Sequence, residues 1–231
     1  MKTIGLIGGM SWESSVTYYR TINEHVARRL GGLHSAPCVL WSFDFSEIHR
    51  LQHEDRWDEA TKRLSDAGVA LRDAGADFLV ICTNTMHKMA DAVQAAAGLP
   101  LLHIADSTAE RIQAAGLRHV GLLGTRFTME EDFYRGRLAE RHGLEVSIPS
   151  AAEREFLHSV IFGELCRGIV TDTSRRRCRA IIDKLTDGGC GGMILGCTEL
   201  GLLITPGDSP VPLFDTAIIH AEAAAALAVG T

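Results

Sequence analysis

Short apolar runs recur along the chain and alternate with segments of helical period. Four such runs in the first half are typical of buried strands in a parallel sheet. They are "TIGLIGG" (3–9), "CVLWSFDF" (38–45), "DFLVI" (77–81) and "LPLLHI" (99–104). This alternation predicts right-handed βαβ units and a mostly parallel sheet.

Three helical segments separate these strands. The first begins after Ser11, a good N-cap, and ends at Gly31-Gly32. Its apolar positions are expected to pack in the interior, and they are Trp12, Val16, Tyr19, Val26 and Leu30. The second helix carries its apolar stripe at Trp57, Ala60, Leu64, Ala67 and Leu71. The third covers residues 86–97.

The pattern restarts in the second half. "IGLIGGM" (4–10) matches "VGLLGTR" (120–126), and "VICTNT" (80–85) matches "ILGCTE" (194–199). "PLLHIADS" (100–107) resembles "PLFDTAII" (212–219). The three pairs of matching segments occur in the same order and are separated by nearly the same number of residues, which indicates an internal repeat.

The repeat predicts an α/β fold of two pseudosymmetric lobes, each a mostly parallel sheet flanked by helices. The expected lobes are 1–115 and 116–231, and the active site is expected in the cleft between them. In an alternative arrangement, the last helix, about 216–229, packs back on the first lobe.

Composition excludes several classes of partner. With a net charge of −6 and a pI of about 5.9, the chain is unsuited to nucleic acid or to an anionic membrane. The start MKTIGLIGGM lacks the form of a signal peptide, and no apolar stretch is long enough to span a membrane. We therefore expect a cytoplasmic protein with reduced cysteines. No pair of its six cysteines has C-x-x-C spacing, so neither a zinc site nor a redox pair is expected.

Two of the cysteines occupy equivalent places in the repeat. Cys82 ends the run "FLVIC" and Cys197 ends "MILGC". Ligands of open α/β sheets bind beyond the carboxyl ends of the strands, so both thiols are expected at a ligand site. If the two lobes face each other, the thiols flank one cleft from opposite sides.

Paired thiols suit stereoinversion at a carbon acid. A thiolate on one face can remove the Cα proton while a thiol on the other face returns one. Helix starts that follow Cys82 and Cys197 are expected to lower the thiol pKa. The glycine turn Gly8-Gly9-Met10 and its counterpart Gly124-Thr125 offer backbone amides to a carboxylate. Their spacing is not G-x-G-x-x-G, so a dinucleotide is not expected.

Several motifs together resemble one known family. "GLIGGMSWESS", "ICTNTMHK", "ILGCTELGLLI" and "PLFDTAIIHA" are similar to the aspartate/glutamate racemases that do not use pyridoxal phosphate, along essentially the whole chain. The resemblance implies two α/β lobes, a homodimer, no cofactor, and Cys82 and Cys197 as the catalytic pair. It also implies substrate contacts by the following residues: Met10, Gln52, Thr83, Asn84, Thr85, Thr125, Thr198 and Glu199.

The chain also departs from its relatives. Glutamate racemases carry a histidine two residues after the second cysteine, whereas this chain has Glu199. Some aspartate racemases hold the distal carboxylate with Arg and Lys, whereas "IHRLQ" provides the neutral Gln52. Aspartate, glutamate and broader amino-acid substrates therefore all stay open.

Two other functions are compatible with the same patterns. One alternative is a racemase or isomerase of another carbon acid, of the hydantoin or maleate type, and another is a small-molecule binding protein without catalysis. His87 and His103 are expected to be structural. Asp215 and His220 are expected either to orient the second thiol or to close the lobe interface.

Overall fold

A computed structural model describes residues 1–230 of the chain. Its first part contains β1 Ile4–Gly8, α1 Trp12–Leu30, β2 Cys38–Ser42, α2 Phe45–His53, α3 Trp57–Asp73, β3 Phe78–Ile81, a 3-10 helix Thr85–Met89, α4 Ala90–Ala97 and β4 Leu101–Leu102. The next part contains α5 Ile104–Ala114, β5 His119–Gly124, α6 Arg126–Glu130, α7 Asp132–His142, β6 Glu145–Ser147, α8 Ala151–Gly163 and a 3-10 helix Leu165–Arg167. The last part contains α9 Asp172–Asp187, β7 Met193–Gly196, α10 Leu200–Leu203, a 3-10 helix Pro206–Asp208, β8 Leu213–Asp215 and α11 Thr216–Val229.

Residues 1–230 form two four-stranded sheets with the same topology. The strand orders are β2-β1-β3-β4 and β6-β5-β7-β8, and every pair of neighbouring strands is parallel. The central strands β1, β3 and β7 are buried at every position, which is why their sequences are continuous apolar runs rather than alternating ones. The predicted α/β class and the parallel sheets flanked by helices are confirmed.

The chain divides into two compact units. Of the described residues, the first unit comprises 1–103 together with 220–230, and the second comprises 104–219. The sequence analysis predicts a boundary after residue 115. In the structure the second unit begins at residue 104 and therefore includes α5. The boundary near the C-terminus falls within α11, because its residues from His220 onward belong to the first unit.

The buried face of α1 differs from the predicted one. Trp12, Val16 and Tyr19 are exposed, with Trp12 at 63%, whereas the interior side of the helix is formed by Ser14, Ser15, Tyr18, Thr21, Ile22 and Val26. Two apolar stripes compete on this helix, and close packing on β1 decides between them. A Cβ on Gly8 would lie 2.9 Å from Leu40 Cδ1 and would collide with Ser15 Oγ, so only small side chains fit at this approach.

Other elements follow the prediction with local differences. Ala60, Leu64, Ala67 and Leu71 are buried on α3, and α1 ends at Gly31 as expected. The segment 86–97 is a 3-10 helix followed by α4 rather than one helix. No described helix has the length and apolar character needed to cross a membrane.

Candidate functional site

Cys82 lies directly after β3 in the first unit, and the backbone holds it firmly. Its N–H donates to Ile7 O at 2.9 Å, which extends the pairing of β3 with β1 by one residue. The hydroxyl of Ser14, in the first turn of α1, donates to Cys82 O at 3.3 Å. The thiol is 1% exposed and lies 3.9 Å from Val80 O, a weak contact. Among residues 1–230, backbone oxygen is thus the only hydrogen-bonding neighbour of Cys82 Sγ.

The residues after Cys82 form the start of the 3-10 helix. Asn84 and Thr85 are buried, and Thr83 is half-buried. The His87 imidazole lies 2.8 Å from Thr83 O through Nδ1. Because a carbonyl only accepts hydrogen bonds, His87 carries its proton on Nδ1 and donates it. This contact ties the loop of the cysteine to the helix that follows.

His87 belongs to a buried aromatic cluster of the first unit. Its ring centroid lies 4.5 Å from that of His103 and 5.6 Å from that of His220. His220 Nε2 donates to Leu102 O at 3.0 Å, and its Nδ1 lies 2.8 Å from the hydroxyl of Tyr18. His220 thus joins α11 to β4 and α1 within this unit, and the cluster packs behind the Cys82 loop.

Met10 and Gln52 are both buried in the first unit, as the resemblance implies for pocket residues. Met10 follows the glycine turn, whose Gly9 N–H donates to Ser15 Oγ at 2.8 Å. Gln52, on α2, donates from Nε2 to the sulfur of Met86 at 3.0 Å. Its Oε1 has no hydrogen-bond partner within residues 1–230. A buried amide oxygen without a partner is costly, and a bound ligand that donates a hydrogen bond would satisfy it.

Cys197 lies directly after β7 in the second unit, the position equivalent to that of Cys82. It is 7% exposed, and its thiol donates to Glu199 Oε2 at 3.1 Å. The hydroxyl of Thr198 donates to the same oxygen at 2.8 Å. Glu199 is itself 3% exposed. The structure therefore connects the second thiol to a buried carboxylate, a contact that the sequence interpretation did not predict.

Thr125 and Asp215 lie at the neighbouring strand ends of the second unit. Thr125 is the N-cap of α6, and its hydroxyl accepts from Thr128 N at 3.3 Å. Asp215 Oδ1 accepts from the amides of Ala217 and Ile218 at 3.0 and 3.2 Å, at the start of α11. Burial and the charge of Glu199 raise the pKa of Asp215. Asp215 thus interacts electrostatically with Glu199, the residue that accepts the hydrogen bond of Cys197.

Burial raises the pKa of both thiols. For Cys82, loss of solvent is the main cause, with a smaller effect of Cys38. For Cys197, loss of solvent is again the largest cause, followed by the charges of Glu199 and Cys166. The expectation of lowered thiol pKa values is wrong, because loss of solvent outweighs the backbone hydrogen bond from Glu199, which lowers the pKa of Cys197.

Within each unit, the structure brings the implied site residues to one edge of the sheet. In the first unit these are Met10, Gln52, Cys82, Thr83, Asn84 and Thr85, and in the second they are Thr125, Cys197, Thr198 and Glu199. His87 was expected to be structural, and its hydrogen bond to Thr83 O is a contact of that kind, since it holds the loop that follows Cys82. All six cysteines are free thiols, and residues 1–230 contain no cluster of three or more His, Cys, Asp or Glu that could hold a metal ion.

Comparisons with known proteins agree with this arrangement. The model of the family described as Asp/Glu/hydantoin racemase matches residues 7–224. A candidate Asp/Glu racemase from Yersinia pestis is 55% identical with a TM-score of 0.92, and the match covers 99% of this chain and 100% of that one. An aspartate racemase homologue from Pyrococcus horikoshii is 38% identical with a TM-score of 0.83, and the match covers 99% of this chain and 100% of that one.

Two more distant relatives are matched over only part of their length. The broad-specificity amino-acid racemase of Bacillus subtilis is 25% identical over 153 residues, which is 62% of this chain and 63% of that protein. The glutamate racemase of Synechococcus sp. (strain CC9605) is 26% identical over 186 residues, or 80% of this chain and 64% of that protein. The matches thus span less than two thirds of these two relatives.

Proposed function

The chain belongs to the Asp/Glu/hydantoin racemase family, and we propose that it is a cofactor-independent amino-acid racemase. It interconverts the L and D enantiomers of aspartate, glutamate or a related small amino acid. The observation that carries this proposal is the pair of buried thiols, Cys82 and Cys197, which follow equivalent strands in two sheets of the same order. Each sheet carries one thiol at its ligand-binding edge. Inversion at Cα needs one thiol on each face of the substrate, and this arrangement would provide both.

The proposed reaction moves two protons. The thiolate of one cysteine takes the Cα proton, so a C–H bond breaks and an S–H bond forms. The thiol of the other cysteine then gives its proton to the opposite face of Cα, and its S–H bond breaks as the new C–H bond forms. The enantiomer produced carries a hydrogen that came from the enzyme, and the reverse reaction exchanges the roles of Cys82 and Cys197.

The remaining implied residues are proposed to hold the substrate. The amides beside Met10 and Thr125, at the ends of β1 and β5, suit its α-carboxylate. Thr83, Asn84 and Thr85 offer hydroxyl and amide groups beside the first thiol, and Thr198 and Glu199 do so beside the second. This division follows the repeat, since each lobe would contribute one thiol and its own polar neighbours.

Gln52 bears on the substrate class. Its buried amide oxygen has no hydrogen-bond partner in the described part of the chain, and an amide carries no positive charge to pair with a second carboxylate. We propose that the enzyme accepts amino acids whose side chains donate a hydrogen bond as well as acidic ones. The similarity to a broad-specificity racemase supports this wider range.

Isotope exchange tests the function most directly. Each enantiomer of aspartate, glutamate, homoserine and glutamine is incubated with the enzyme in heavy water, and optical rotation and Cα deuteration are followed. A racemase brings the rotation to zero and places deuterium in the product enantiomer. Cys82→Ala and Cys197→Ala each abolish inversion, while Cys178→Ala, which removes a buried thiol from α9, leaves it intact.

The alternatives give different results in the same experiment. A binding protein shows ligand affinity without any exchange, and inversion of a hydantoin but of no amino acid would point to another carbon acid. Inversion by the double variant lacking Cys82 and Cys197 would exclude the two-thiol mechanism.

We also propose that the enzyme is a homodimer acting in the cytoplasm. Trp12, Val16 and Tyr19 form an exposed apolar stripe on α1, and such a stripe suits an isologous contact. Antiparallel pairing of two α1 helices around Val16 would bring Glu13 of each copy near Arg20 of the other. Reduced thiols are required by the mechanism, and the cytoplasm keeps them reduced. Sedimentation of the wild type and of Val16→Glu tests the contact, since the charged variant should be monomeric.

A further inference from the structure

The two thiols have different partners at sulfur. Cys197 donates to Glu199 Oε2 at 3.1 Å, and both side chains are buried. The contact of Cys82 Sγ is with Val80 O at 3.9 Å. A carboxylate can hold a negative charge next to the sulfur, whereas a backbone carbonyl cannot. The repeat therefore places equivalent cysteines in surroundings of unequal charge.

The hydrogen bond from Cys197 to Glu199 requires that the thiol keep its proton. The thiol donates only while the proton stays on sulfur, because an ionised carboxylate has no proton to share. Removing that proton would put two negative charges 3.1 Å apart in a site shielded from water. Like charges at this separation strongly oppose the second ionisation. The carboxylate of Glu199 therefore raises the pKa of the Cys197 thiol further than burial alone does.

Two further groups near this pair act in the same direction, whereas a hydrogen bond from the backbone of Glu199 lowers the pKa of Cys197 by a smaller amount. Cys166, in the 3-10 helix 165–167, interacts electrostatically with both Cys197 and Glu199. Asp215, at the end of β8, interacts with Glu199. Arg175 of α9 carries the opposite charge, and its Nε donates to Leu203 O at the end of α10. Near Cys82, the corresponding interaction comes from another thiol, Cys38.

We infer that Glu199 keeps the proton on Cys197, so that Cys82 is the first of the two thiols to ionise and Cys197 begins the reaction as the acid. This inference rests on the proposed racemase function and assigns Glu199 a catalytic role besides substrate contact. The resting enzyme is then prepared for the enantiomer whose α-hydrogen faces Cys82. That turnover leaves a protonated Cys82 and a Cys197 thiolate beside Glu199. A net transfer of one proton through water, from Cys82 to Cys197, restores the starting form.

The ionisation order can be measured without any substrate. Cysteine labelled with ¹³C at Cβ is introduced into the full chain, each signal is assigned by a single Cys→Ser variant, and the signals are titrated with pH. In the wild type, Cys82 should ionise at lower pH than Cys197. In Glu199→Gln, Cys197 should carry at least about tenfold more thiolate at a given pH, while Cys82 is unchanged.

Two further variants keep this test decisive. Glu199→Asp retains the carboxylate, so Cys197 should still ionise after Cys82, and this variant serves if Glu199→Gln does not fold. Glu164→Gln is the matched control, because Glu164 raises the pKa of Cys178 rather than that of Cys197. It should shift the signal of Cys178 alone. Ionisation of Cys197 before Cys82 in the wild type, or an unchanged Cys197 titration in Glu199→Gln, would overturn the inference.

A kinetic measurement tests the consequence for catalysis. The enantiomer facing Cys82 is identified as the one whose α-hydrogen still exchanges in Cys197→Ser but not in Cys82→Ser. In rapid mixing with the wild type, the first turnover of this enantiomer should proceed without a lag, and the other should show one. Glu199→Gln should remove this difference, and a lag for the enantiomer facing Cys82 would contradict the inference. If the wild type inverts no substrate, the proposed function fails, and the titration alone decides the ionisation order.

Discussion

The two sheets of this protein repeat one topology but surround their cysteines differently. In the first unit, the loop after Cys82 is held by Ser14 and His87, and a cluster of buried rings packs behind it. In the second, Cys197 faces the carboxylate of Glu199, and Asp215 lies at the next strand end. Strand order determines where a thiol is placed, whereas the side chains around it determine how tightly its proton is held.

This difference matters because a racemase must work in both directions. At equal concentrations the two enantiomers have the same free energy, so kcat/KM has to be equal for the two directions. Unequal thiols therefore cannot favour one enantiomer at equilibrium. They can only change which proton-transfer step is slow and which form of the free enzyme predominates.

The largest expected effect comes from removing either thiol. Cys82→Ser and Cys197→Ser should each lower racemisation by about a thousandfold or more, because a serine hydroxyl is a far weaker proton acceptor. Each variant should still exchange the α-hydrogen of one enantiomer, and a different one in each case. Deuterium incorporation followed by mass spectrometry measures this, and exchange of the same enantiomer by both variants would contradict the proposed two-thiol mechanism.

Substitution of His87 tests the support of the first thiol. His87→Leu removes the hydrogen bond to Thr83 O, and we expect kcat to fall by about ten- to a hundredfold because the Cys82 loop shifts. His87→Asn can still donate from a similar position and should restore most of the activity. His34→Asn, at an exposed loop position, is the matched control. Loss of activity in the Asn variant equal to that in the Leu variant would show that the hydrogen bond is not what matters.

The pH profile should reflect the buried thiols. Burial raises the pKa of both, so the thiolate that acts as base is scarce at neutral pH and becomes more abundant as pH rises. We expect kcat/KM to increase by up to about tenfold per pH unit from about pH 6 to pH 9. A rate that falls over this range would indicate that a different group is the base.

Gln52 offers a test of substrate choice that affects the first unit alone. Gln52→Arg adds a cation at a buried amide position and should shift the ratio of kcat/KM toward aspartate or glutamate over homoserine by about tenfold. Competition between the two substrates in one reaction measures this ratio. Gln52→Glu is the opposite control and should shift the ratio away from acidic substrates.

The smallest expected effects concern stability. Tyr18→Phe removes a buried hydroxyl from His220 Nδ1, and Thr216→Val removes one from Leu195 O in the second unit. Each should lower the free energy of unfolding by about 1 kcal/mol, as for a typical buried hydrogen bond. Chemical denaturation measures both values. Only Tyr18→Phe should also slow racemisation, since only Tyr18 belongs to the cluster behind the Cys82 loop.

Sequence patterns predict long-range organisation well where burial is uniform. The fully apolar runs of β1, β3 and β7 indicate parallel strands, and the internal repeat predicts two sheets of one topology. The same patterns predict the wrong face of α1. Trp12 and Tyr19 form as good a stripe as Tyr18 and Ile22, and only the close approach of Ser15 to Gly8 decides which stripe is buried.

The sequence by itself determined the α/β class, the repeat and the placement of Cys82 and Cys197 at equivalent strand ends, because these depend on local periodicity and on residue order. The tertiary structure alone decided that both thiols are too buried to ionise easily and that Glu199 accepts the hydrogen bond of Cys197. It also decided that His87 holds Thr83. Burial and side-chain orientation depend on elements distant in the chain, and the pKa of a thiol depends on what those elements exclude and what they bring near.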